Sequence, residues 1–215
     1  MKNYFITATG TGIGKTLLTC ALTQQLRTQR VNVRAIKPVI SGYEADRIAE
    51  SDTGLLLATQ GLPLSQDSID AISPWRFAAP LSPDMAAEEE GKNIDFEKLA
   101  AFCKTQGKVG HLLVEGVGGI MAPLDNSHTV LDWAAALGYP IILVAGSYLG
   151  SLSHTLTSAR VIVSAGLELH AVVVSESESS SVPLARTLKT LRRFLPPAAR
   201  LEVISRLASS AELWK

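Results

Sequence analysis

The chain has 215 residues, of which 47% are hydrophobic, and its 20 basic and 20 acidic side chains balance to a net charge of zero. This length suits one sizeable α/β domain, and because no break in composition marks a second one, we expect residues 1–215 to form a single domain. The balanced charge argues against nonspecific binding of nucleic acid or of an anionic membrane, and no apolar run reaches the roughly 18 residues that a membrane helix needs. Since the first residues lead into a predicted strand rather than a secretion signal, we expect a cytoplasmic protein.

A glycine-rich stretch separates the first predicted strand, residues 4–8, from the first predicted helix, which ends between residues 27 and 30. The stretch runs from Thr9 to Thr16 and reads Thr-Gly-Thr-Gly-Ile-Gly-Lys-Thr. A turn of this kind between a strand and a helix is typical of phosphate-binding loops, because backbone N–H groups and the helix N-terminus can surround an oxyanion. We therefore predict a phosphate site rather than a turn that binds nothing.

The side chains of this loop suit a nucleoside triphosphate. Lys15 would bring a positive charge to the β and γ phosphates, and Thr16 would offer its hydroxyl to Mg²⁺. The common form of the loop has a glycine five positions before the Gly-Lys-Thr, where this chain has Thr9, so the sequence matches a variant of the motif.

A second strand is predicted over residues 31–36 and ends before Pro38. Lys37, Ser41 and Gly42 follow at its carboxyl end, which is where open parallel sheets bind ligands. A lysine at a strand end is commonly only solvated, but beside a phosphate-binding loop a functional role is favoured.

Residues 44–61 indicate a helix whose polar start faces the site, and the local pattern favours Asp52 as its N-cap. Residues 62–95 contain four prolines and no clear periodicity, which predicts an irregular stretch that could form a substrate wall. A helix is then predicted over residues 96–105.

A buried strand predicted over residues 112–114 runs directly into Glu115-Gly116-Val117-Gly118-Gly119. The carboxylate could bind Mg²⁺ opposite the Thr16 hydroxyl, and the glycines would let the backbone approach a substrate. The alternative is a turn with a solvated glutamate, which the nearby phosphate-binding loop disfavours.

The rest of the chain continues the alternation of strands and helices. Further helices are predicted over residues 130–137, 150–165 and 182–194, further strands over residues 141–145, 171–174 and 201–204, and a short helix in the tail. The second of these helices opens on Gly150, where free N–H groups could hold a substrate carboxylate or the adjacent serines could simply be caps. The alternation predicts an α/β fold with a mostly parallel sheet, helices on both faces and right-handed crossovers.

Neither a zinc-ligand spacing nor a Gly-x-Ser-x-Gly nucleophile elbow occurs in the sequence, so zinc or triad chemistry has no support. Cys20 and Cys103 lie far apart and are interpreted as reduced, packed thiols.

Taken together, these blocks resemble dethiobiotin synthetase, a P-loop NTPase family of the group that includes nitrogenase iron protein and the partition ATPases. The resemblance extends from Tyr4 to about Val174. The matching blocks are Thr9 to Thr16, residues 36–39 with Ser41 and Gly42, Ser51 with Asp52, residues 79–83, residues 114–119, and residues 149–154.

The resemblance implies an ATP-dependent ligase of biotin biosynthesis that closes a ureido ring on 7,8-diaminononanoate. The diamine takes up CO₂ as a carbamate, a carbamate oxygen attacks the γ-phosphate, and the second amine displaces phosphate from the mixed anhydride. A homodimer is also implied, with the segment that begins at Gly150 reaching the substrate carboxylate bound to the partner.

The resemblance assigns roles to individual residues. These are catalysis for Lys37, Lys15, Thr11 and Ser41; Mg²⁺ binding for Thr16, Asp52 and Glu115; ATP binding for Gly12, Ile13, Gly14, Lys15, Thr16, Leu17, Asp52, Glu115, Gly116, Val117, Gly118, Ser175 and Glu176; and substrate binding for Thr11, Lys37, Ser41, Gly118, Gly150, Ser151, Leu152 and Ser153.

The chain departs from the family pattern near both ends. Ala8 and Gly10 replace the usual glycine and aspartate, and Ser175 replaces an asparagine that reads the adenine edge. The glycine and proline that usually line the base pocket are replaced around Glu202 and Ser205. Because a serine has a shorter reach and one hydroxyl in place of two amide groups, we predict relaxed or altered base selectivity with phosphate binding kept.

Two other functions fit parts of the sequence. One is an amide-forming or carboxylate-activating ATPase of the same group that acts on a different substrate. The other is a partition-type switch ATPase, but such proteins usually carry an extra lysine where this chain has Gly10, so this function is less favoured.

Overall fold

A computed structural model describes residues 2–107, 110–177 and 180–204. The helices and strands follow in chain order: β1 (Asn3–Ala8), α1 (Lys15–Thr28), β2 (Val33–Ile36), β3 (Val39–Ser41), a 3₁₀ turn (Ala45–Glu50), α2 (Asp52–Gln60), α3 (Gln66–Ile72), β4 (Trp75–Phe77), α4 (Pro83–Glu89), α5 (Phe96–Gln106), β5 (His111–Glu115), α6 (Val130–Leu137), β6 (Ile141–Gly146), α7 (Ser151–Ser164), β7 (Leu169–Ser175), α8 (Leu184–Phe194) and β8 (Arg200–Ile204). The short helix predicted for the tail, and Ser205 with it, lie outside the described residues.

Within the described residues, six strands form one sheet in the order β2-β5-β1-β6-β7-β8, and every neighbouring pair is parallel. All six residues of β6 are buried, as expected for a parallel strand that is covered on both faces. The predicted α/β fold with a mostly parallel sheet is therefore confirmed. The strand order reverses at β1, so the loop that follows β1 lies at a topological switch point, where open α/β sheets bind ligands.

The core packs aromatic side chains of the sheet against the helices. Phe5 of β1 meets Trp133 of α6 edge to face, with ring centroids 5.0 Å apart, and both side chains are fully buried. Cys20 and Cys103 are free thiols, as predicted, and burial raises the pKa of Cys103 to about 12. None of the described helices is long and apolar enough to cross a membrane.

The prediction that residues 62–95 are irregular is wrong, because this stretch contains α3, β4 and α4. Ser65 caps α3 by accepting a hydrogen bond from the Ser68 N–H, and Pro83 occupies the first turn of α4, where its missing N–H costs little. The three residues of β4 pair in parallel with β3, which is distant in sequence and could not be seen from local periodicity.

The helix predicted over residues 44–61 is divided into the 3₁₀ turn and α2, and its cap is Ser51 rather than Asp52. The Ser51 hydroxyl accepts a hydrogen bond from the Gly54 N–H at 3.2 Å, while Asp52 is the first residue of the helix. Because Ser51 satisfies the helix end, the Asp52 carboxylate is available for other contacts.

Gly54 lies where α2 crosses the 3₁₀ turn. A Cβ at this position would overlap the carbonyl oxygen of Ile48 and lie 2.8 Å from the Cα of Ala49. Helix propensity alone predicts that Gly54→Ala stabilises the protein by about 0.5–1 kcal/mol. We expect the opposite, a loss of about 2 kcal/mol in the free energy of unfolding, because the overlap is with backbone that must move.

Urea denaturation of the wild type and of Gly54→Ala checks the sign. Ala58→Gly, at an exposed position of the same helix, reports the pure propensity term. A Gly54→Ala variant more stable than the wild type would contradict the packing argument.

Candidate active site

The side chains with predicted roles come from elements whose ends meet at one edge of the sheet. β2, β5 and β1 are neighbours and run parallel, so their carboxyl ends place Lys37, Glu115 and the phosphate-binding loop side by side. Asp52, the first residue of α2, joins this group. Residues separated by as many as 103 positions in sequence are thus in hydrogen-bond contact at this edge.

The phosphate-binding loop has the backbone conformation that its glycines allow. Gly12 and Gly14 have φ angles of 71° and 114°, which are disfavoured for residues with a Cβ. Gly14 is the N-cap residue of α1, and no side chain caps this helix end. The first N–H groups of α1 are therefore placed to bind an anion, with the helix dipole contributing positive potential.

Lys15 reaches across the loop to the turn that follows β5. Its Nζ donates to the carbonyl oxygens of Gly118 at 2.7 Å and Gly10 at 3.3 Å, and only 6% of the residue is exposed. Burial, followed by the nearby charge of Lys37, lowers the pKa of Lys15 to about 8. The ammonium thus has carbonyl partners but no direct carboxylate contact in this cluster, and a bound phosphate would stabilise its charge.

Lys37 has a different environment. Its Nζ lies 2.8 Å from Asp52 Oδ2 and 2.8 Å from Glu115 Oε1, and the residue is 3% exposed. Burial on its own lowers the pKa of Lys37, but the two carboxylates outweigh it and raise the pKa above its ordinary value. Similarly, burial raises the pKa of Asp52, but the charge of Lys37 outweighs this and holds that pKa low. The alternative interpretation, in which Lys37 is only a solvated lysine at a strand end, is therefore wrong.

Thr16 completes this cluster. Its Oγ1 lies 2.7 Å from Asp52 Oδ1 and 2.7 Å from Glu115 Oε1. Glu115 is fully buried, which rules out a solvated turn glutamate, and its Oε2 has no hydrogen-bond partner among the described residues. Two carboxylates and a hydroxyl are a hard-oxygen donor set that fits Mg²⁺, which usually takes further ligands from phosphate and water.

A cavity of about 1040 Å³ lies above this cluster. The phosphate-binding loop forms one side, the turn after β5 another, and residues 80–83 a third. The predicted stretch 62–95 thus contributes one wall of the cavity, through the irregular loop between β4 and α4 and the first residue of α4.

Most of the predicted site residues line this cavity. They are Thr11, Gly12, Gly14, Lys15, Thr16, Leu17, Lys37, Ser41, Asp52, Val117 and Gly118. Glu115 lies beneath the floor and contacts it through Lys37 and Thr16. The structure does not bring Gly150, Ser151, Leu152, Ser153, Ser175 or Glu176 to the cavity lining, and Ile13 and Gly116 are also absent from it.

Ser175 ends β7 directly behind the phosphate-binding loop. It is 1% exposed, and a Cβ placed on Gly14 would lie 2.8 Å from its hydroxyl oxygen. The Ser175 side chain therefore packs against the loop rather than facing an open base pocket.

Several contributors to the site carried too weak a local signal to be found from the sequence. Ile40 and Ala122, which line the cavity, are two of them. Gly119 was predicted to let the backbone approach a substrate, and a Cβ there would lie 3.3 Å from the Gly10 nitrogen, so this glycine also allows the two loops to touch.

Contacts of the loop after β7 were also not predicted from the sequence. The Ser147 N–H donates to Ser177 Oγ at 3.1 Å, the Ser177 N–H donates to Ser147 Oγ at 2.9 Å, and the Ser180 hydroxyl donates to the Ser147 carbonyl at 2.6 Å. The many serines of this loop were the sequence feature that could have indicated these hydrogen bonds.

Known proteins with similar sequences decide the family. The chain matches the model of an AAA domain over residues 2–213. It is 47% identical to the ATP-dependent dethiobiotin synthetase of Acidiphilium cryptum, a match that covers 91% of this chain and 89% of that protein. It is 43% identical to the enzyme of the same name from Methylobacterium nodulans, over 90% of this chain and 89% of that protein. The chain belongs to the dethiobiotin synthetase family.

Solved structures agree with the fold of this dethiobiotin synthetase family member. A chain of the MinC:MinD cell division protein complex from Aquifex aeolicus matches with a TM-score of 0.56 and 13% identity, covering 95% of this chain and 81% of that one. MinD from Pyrococcus horikoshii, solved with Mg-ADP, matches with a TM-score of 0.56 and 17% identity over the same shares. At these identities the likeness shows the fold alone.

The low pKa of Lys15 predicts that nucleotide binding takes up a proton. At about pH 8.5, a group with a pKa of about 8 is mostly neutral, and bound phosphates favour its charged form and raise the pKa. Binding should therefore take up about 0.7 proton per site at that pH, and much less at about pH 7, where Lys15 is already charged. Calorimetry of ADP binding in buffers of different ionisation enthalpy measures this uptake.

Lys15→Arg is the matched control, because a guanidinium keeps the positive charge but does not titrate in this range. Wild-type uptake at about pH 8.5 that equals the uptake of Lys15→Arg would contradict the assignment to Lys15.

Proposed function

We propose that this protein is an ATP-dependent dethiobiotin synthetase, which converts 7,8-diaminononanoate, CO₂ and ATP into dethiobiotin, ADP and phosphate. Family membership supports this activity. The observation that carries it is that Lys15, Lys37, Thr11 and Ser41 line one cavity next to a buried carboxylate cluster. We further propose that residues 1–215 act as one catalytic domain.

The phosphate-binding loop would hold the triphosphate of ATP. The N–H groups at the start of α1 and the Lys15 ammonium would bind the β and γ phosphates. The phosphate oxygens would then replace the carbonyl oxygens that Lys15 contacts in this structure. Thr16, Asp52 and Glu115 would hold Mg²⁺, which when bound neutralises negative charge on the phosphates. These residues fit the ion because their oxygens converge and Glu115 Oε2 is buried without a partner among the described residues.

Two C–N bonds and one O–P bond form in the proposed reaction. The substrate amine and CO₂ first give a carbamate with release of a proton, and a carbamate oxygen then attacks the γ-phosphorus while ADP leaves. The second amine attacks the carbon of the carbamic-phosphoric anhydride, phosphate leaves with its bonding electron pair, and the amine loses a proton as the ring closes. Thr11 and Ser41 would orient the carbamate, and Lys37 would neutralise its oxygen and the migrating phosphoryl group. The protein would act by positioning and charge stabilisation without forming a covalent bond.

A partition-type switch ATPase is the alternative that the fold likeness raises. Against it, Gly10 occupies the position of the extra lysine, and residues 80–83 wall the cavity beside the phosphate loop as a small-molecule site requires. A related ligase with another substrate remains the second candidate. Whether phosphate release depends on 7,8-diaminononanoate separates that ligase from the synthetase.

Phosphate release by the purified protein with Mg²⁺, bicarbonate and ATP tests the function. We expect release to require 7,8-diaminononanoate and to match the cyclic urea detected by mass spectrometry. Lys37→Met should lower turnover by about 100-fold or more, because the developing charge loses its cation. Diamine-independent release without product would contradict the synthetase and favour the switch ATPase.

Repeating the assay with CTP, GTP and UTP tests the proposed relaxed base selectivity. Ser175 supports that proposal because its hydroxyl is buried against Gly14 and lacks the amide groups that read a base edge. A strong preference for ATP would contradict it.

We also propose a homodimer in which Gly150, Ser151, Leu152 and Ser153 bind the substrate carboxylate in the partner's cavity. Two observations support this: these residues do not line the cavity of their own chain, and the adjacent Leu149 is 77% exposed. Mixing the inactive variants Lys37→Met and Ser153→Asp should restore about a quarter of wild-type activity, since random pairing gives heterodimers with one intact site. No recovery on mixing two refolded or coexpressed variants would contradict a shared site.

A further inference from the structure

Lys37 occupies a position that conflicts with its proposed task. Its ammonium would act on the substrate, yet it lies 2.8 Å from each of the two carboxylates that would hold the metal. The catalytic cation and the metal therefore have the same ligands. Either the two share Asp52 and Glu115 throughout, or one replaces the other.

The hydrogen-bond inventory favours replacement. Thr16 has one hydroxyl hydrogen but lies 2.7 Å from an oxygen of both carboxylates, so it can donate to only one of them. Glu115 Oε1 already faces both Lys37 and Thr16. Among the oxygens of the two carboxylates, only Glu115 Oε2 has no hydrogen-bond partner in the described residues. A divalent ion that bound Oε2 together with the oxygens of Asp52 and Thr16 would come into the immediate neighbourhood of the ammonium, and the two positive charges would repel each other.

Charge balance explains why Lys37 is there. A fully buried carboxylate such as Glu115 is costly without a cation beside it. Lys15, the other lysine of the cavity, has its Nζ on the carbonyls of Gly10 and Gly118 and makes no hydrogen bond to either carboxylate. Lys37 is thus the cation that compensates Glu115 and Asp52 in this structure.

We propose that Lys37 is a stand-in cation for the metal: it occupies the carboxylates of Asp52 and Glu115 in the ligand-free protein and leaves them when the metal binds. Released into the cavity, the ammonium can reach the phosphates and the carbamate. Metal binding and the supply of the catalytic ammonium are then one exchange, and the exchange is favourable only when an anion is present to receive Lys37. This inference rests on the metal assignment in the proposed function, but not on the identity of the substrate.

Mn²⁺ binding to the nucleotide-free protein, measured from the free-ion electron paramagnetic resonance signal, tests the exchange without any turnover. Removing the competitor in Lys37→Met should tighten Mn²⁺ binding about tenfold or more. Lys15→Met is the matched control, because it removes an equal charge from the same cavity but no partner from the carboxylates, and it should change affinity by less than about threefold. Equal affinities for wild type and Lys37→Met, equal tightening by Lys15→Met, or no Mn²⁺ binding to Lys37→Met would each overturn the proposal.

Lys37→Met leaves Glu115 without a cation and could fail to fold, so a wild-type measurement is also needed. A crystal structure with Mg²⁺ and a non-hydrolysable ATP analogue should show Lys37 Nζ beyond hydrogen-bond distance of Glu115 Oε1 and next to a phosphate oxygen. Lys37 still bonded to both carboxylates beside a bound Mg²⁺ would overturn the proposal. Either result is independent of whether dethiobiotin forms, so the failure of this inference and the failure of the proposed function are distinguishable.

Discussion

The buried carboxylate of Glu115 is the constraint around which this site is arranged. It ends β5 with no exposure to solvent, and a charge in such a place must be compensated from within the protein. The compensation comes from Lys37 at the end of β2, with Asp52 from α2 and Thr16 from α1 completing the group. The parallel order of β2, β5 and β1 is what brings these chain segments together. A break in that order would leave the carboxylate unpaired.

Two lysines share the cavity but have opposite electrostatic environments. Burial and the nearby charge of Lys37 lower the pKa of Lys15 to about 8, although Glu115 and Asp52 oppose the shift, so an anion bound in the cavity would further stabilise its charge. Lys37 has two carboxylates, which raise its pKa, so it must give up good partners in order to act. Phosphate binding therefore gains most at Lys15 and is opposed at Lys37 unless another cation takes its place. Lys15 is thus suited to bind an anion directly, whereas the charge of Lys37 is paired with carboxylates in this structure.

The sequence was sufficient where chemistry and structure are local. The phosphate-binding loop, the strand leading to Glu115 and the lysine after β2 are each marked by residues within a few positions, and the parallel sheet followed from the alternation of elements. Contacts between distant segments could not be read in the same way. β4 exists because it pairs with β3, and Asp52 contacts Thr16 and Lys37, which are distant in sequence, while Ser51 caps α2. The reciprocal serine contacts between residues 147 and 177 also depend on the pairing of β6 with β7.

The likeness to MinD structures shows how little of the function the fold determines. At identities of 13% and 17% the likeness carries no more than the shared fold. The chemistry of this chain depends on the side chains and loops that its own sequence places on that scaffold. Residues 80–83 wall the cavity next to the phosphate loop, and Lys37, Ser41 and Thr11 face the space between them. A switch protein needs its nucleotide site to move other surfaces, whereas these residues line a cavity beside the phosphate-binding loop, and a cavity with two lysine side chains in its lining suits a small anionic substrate.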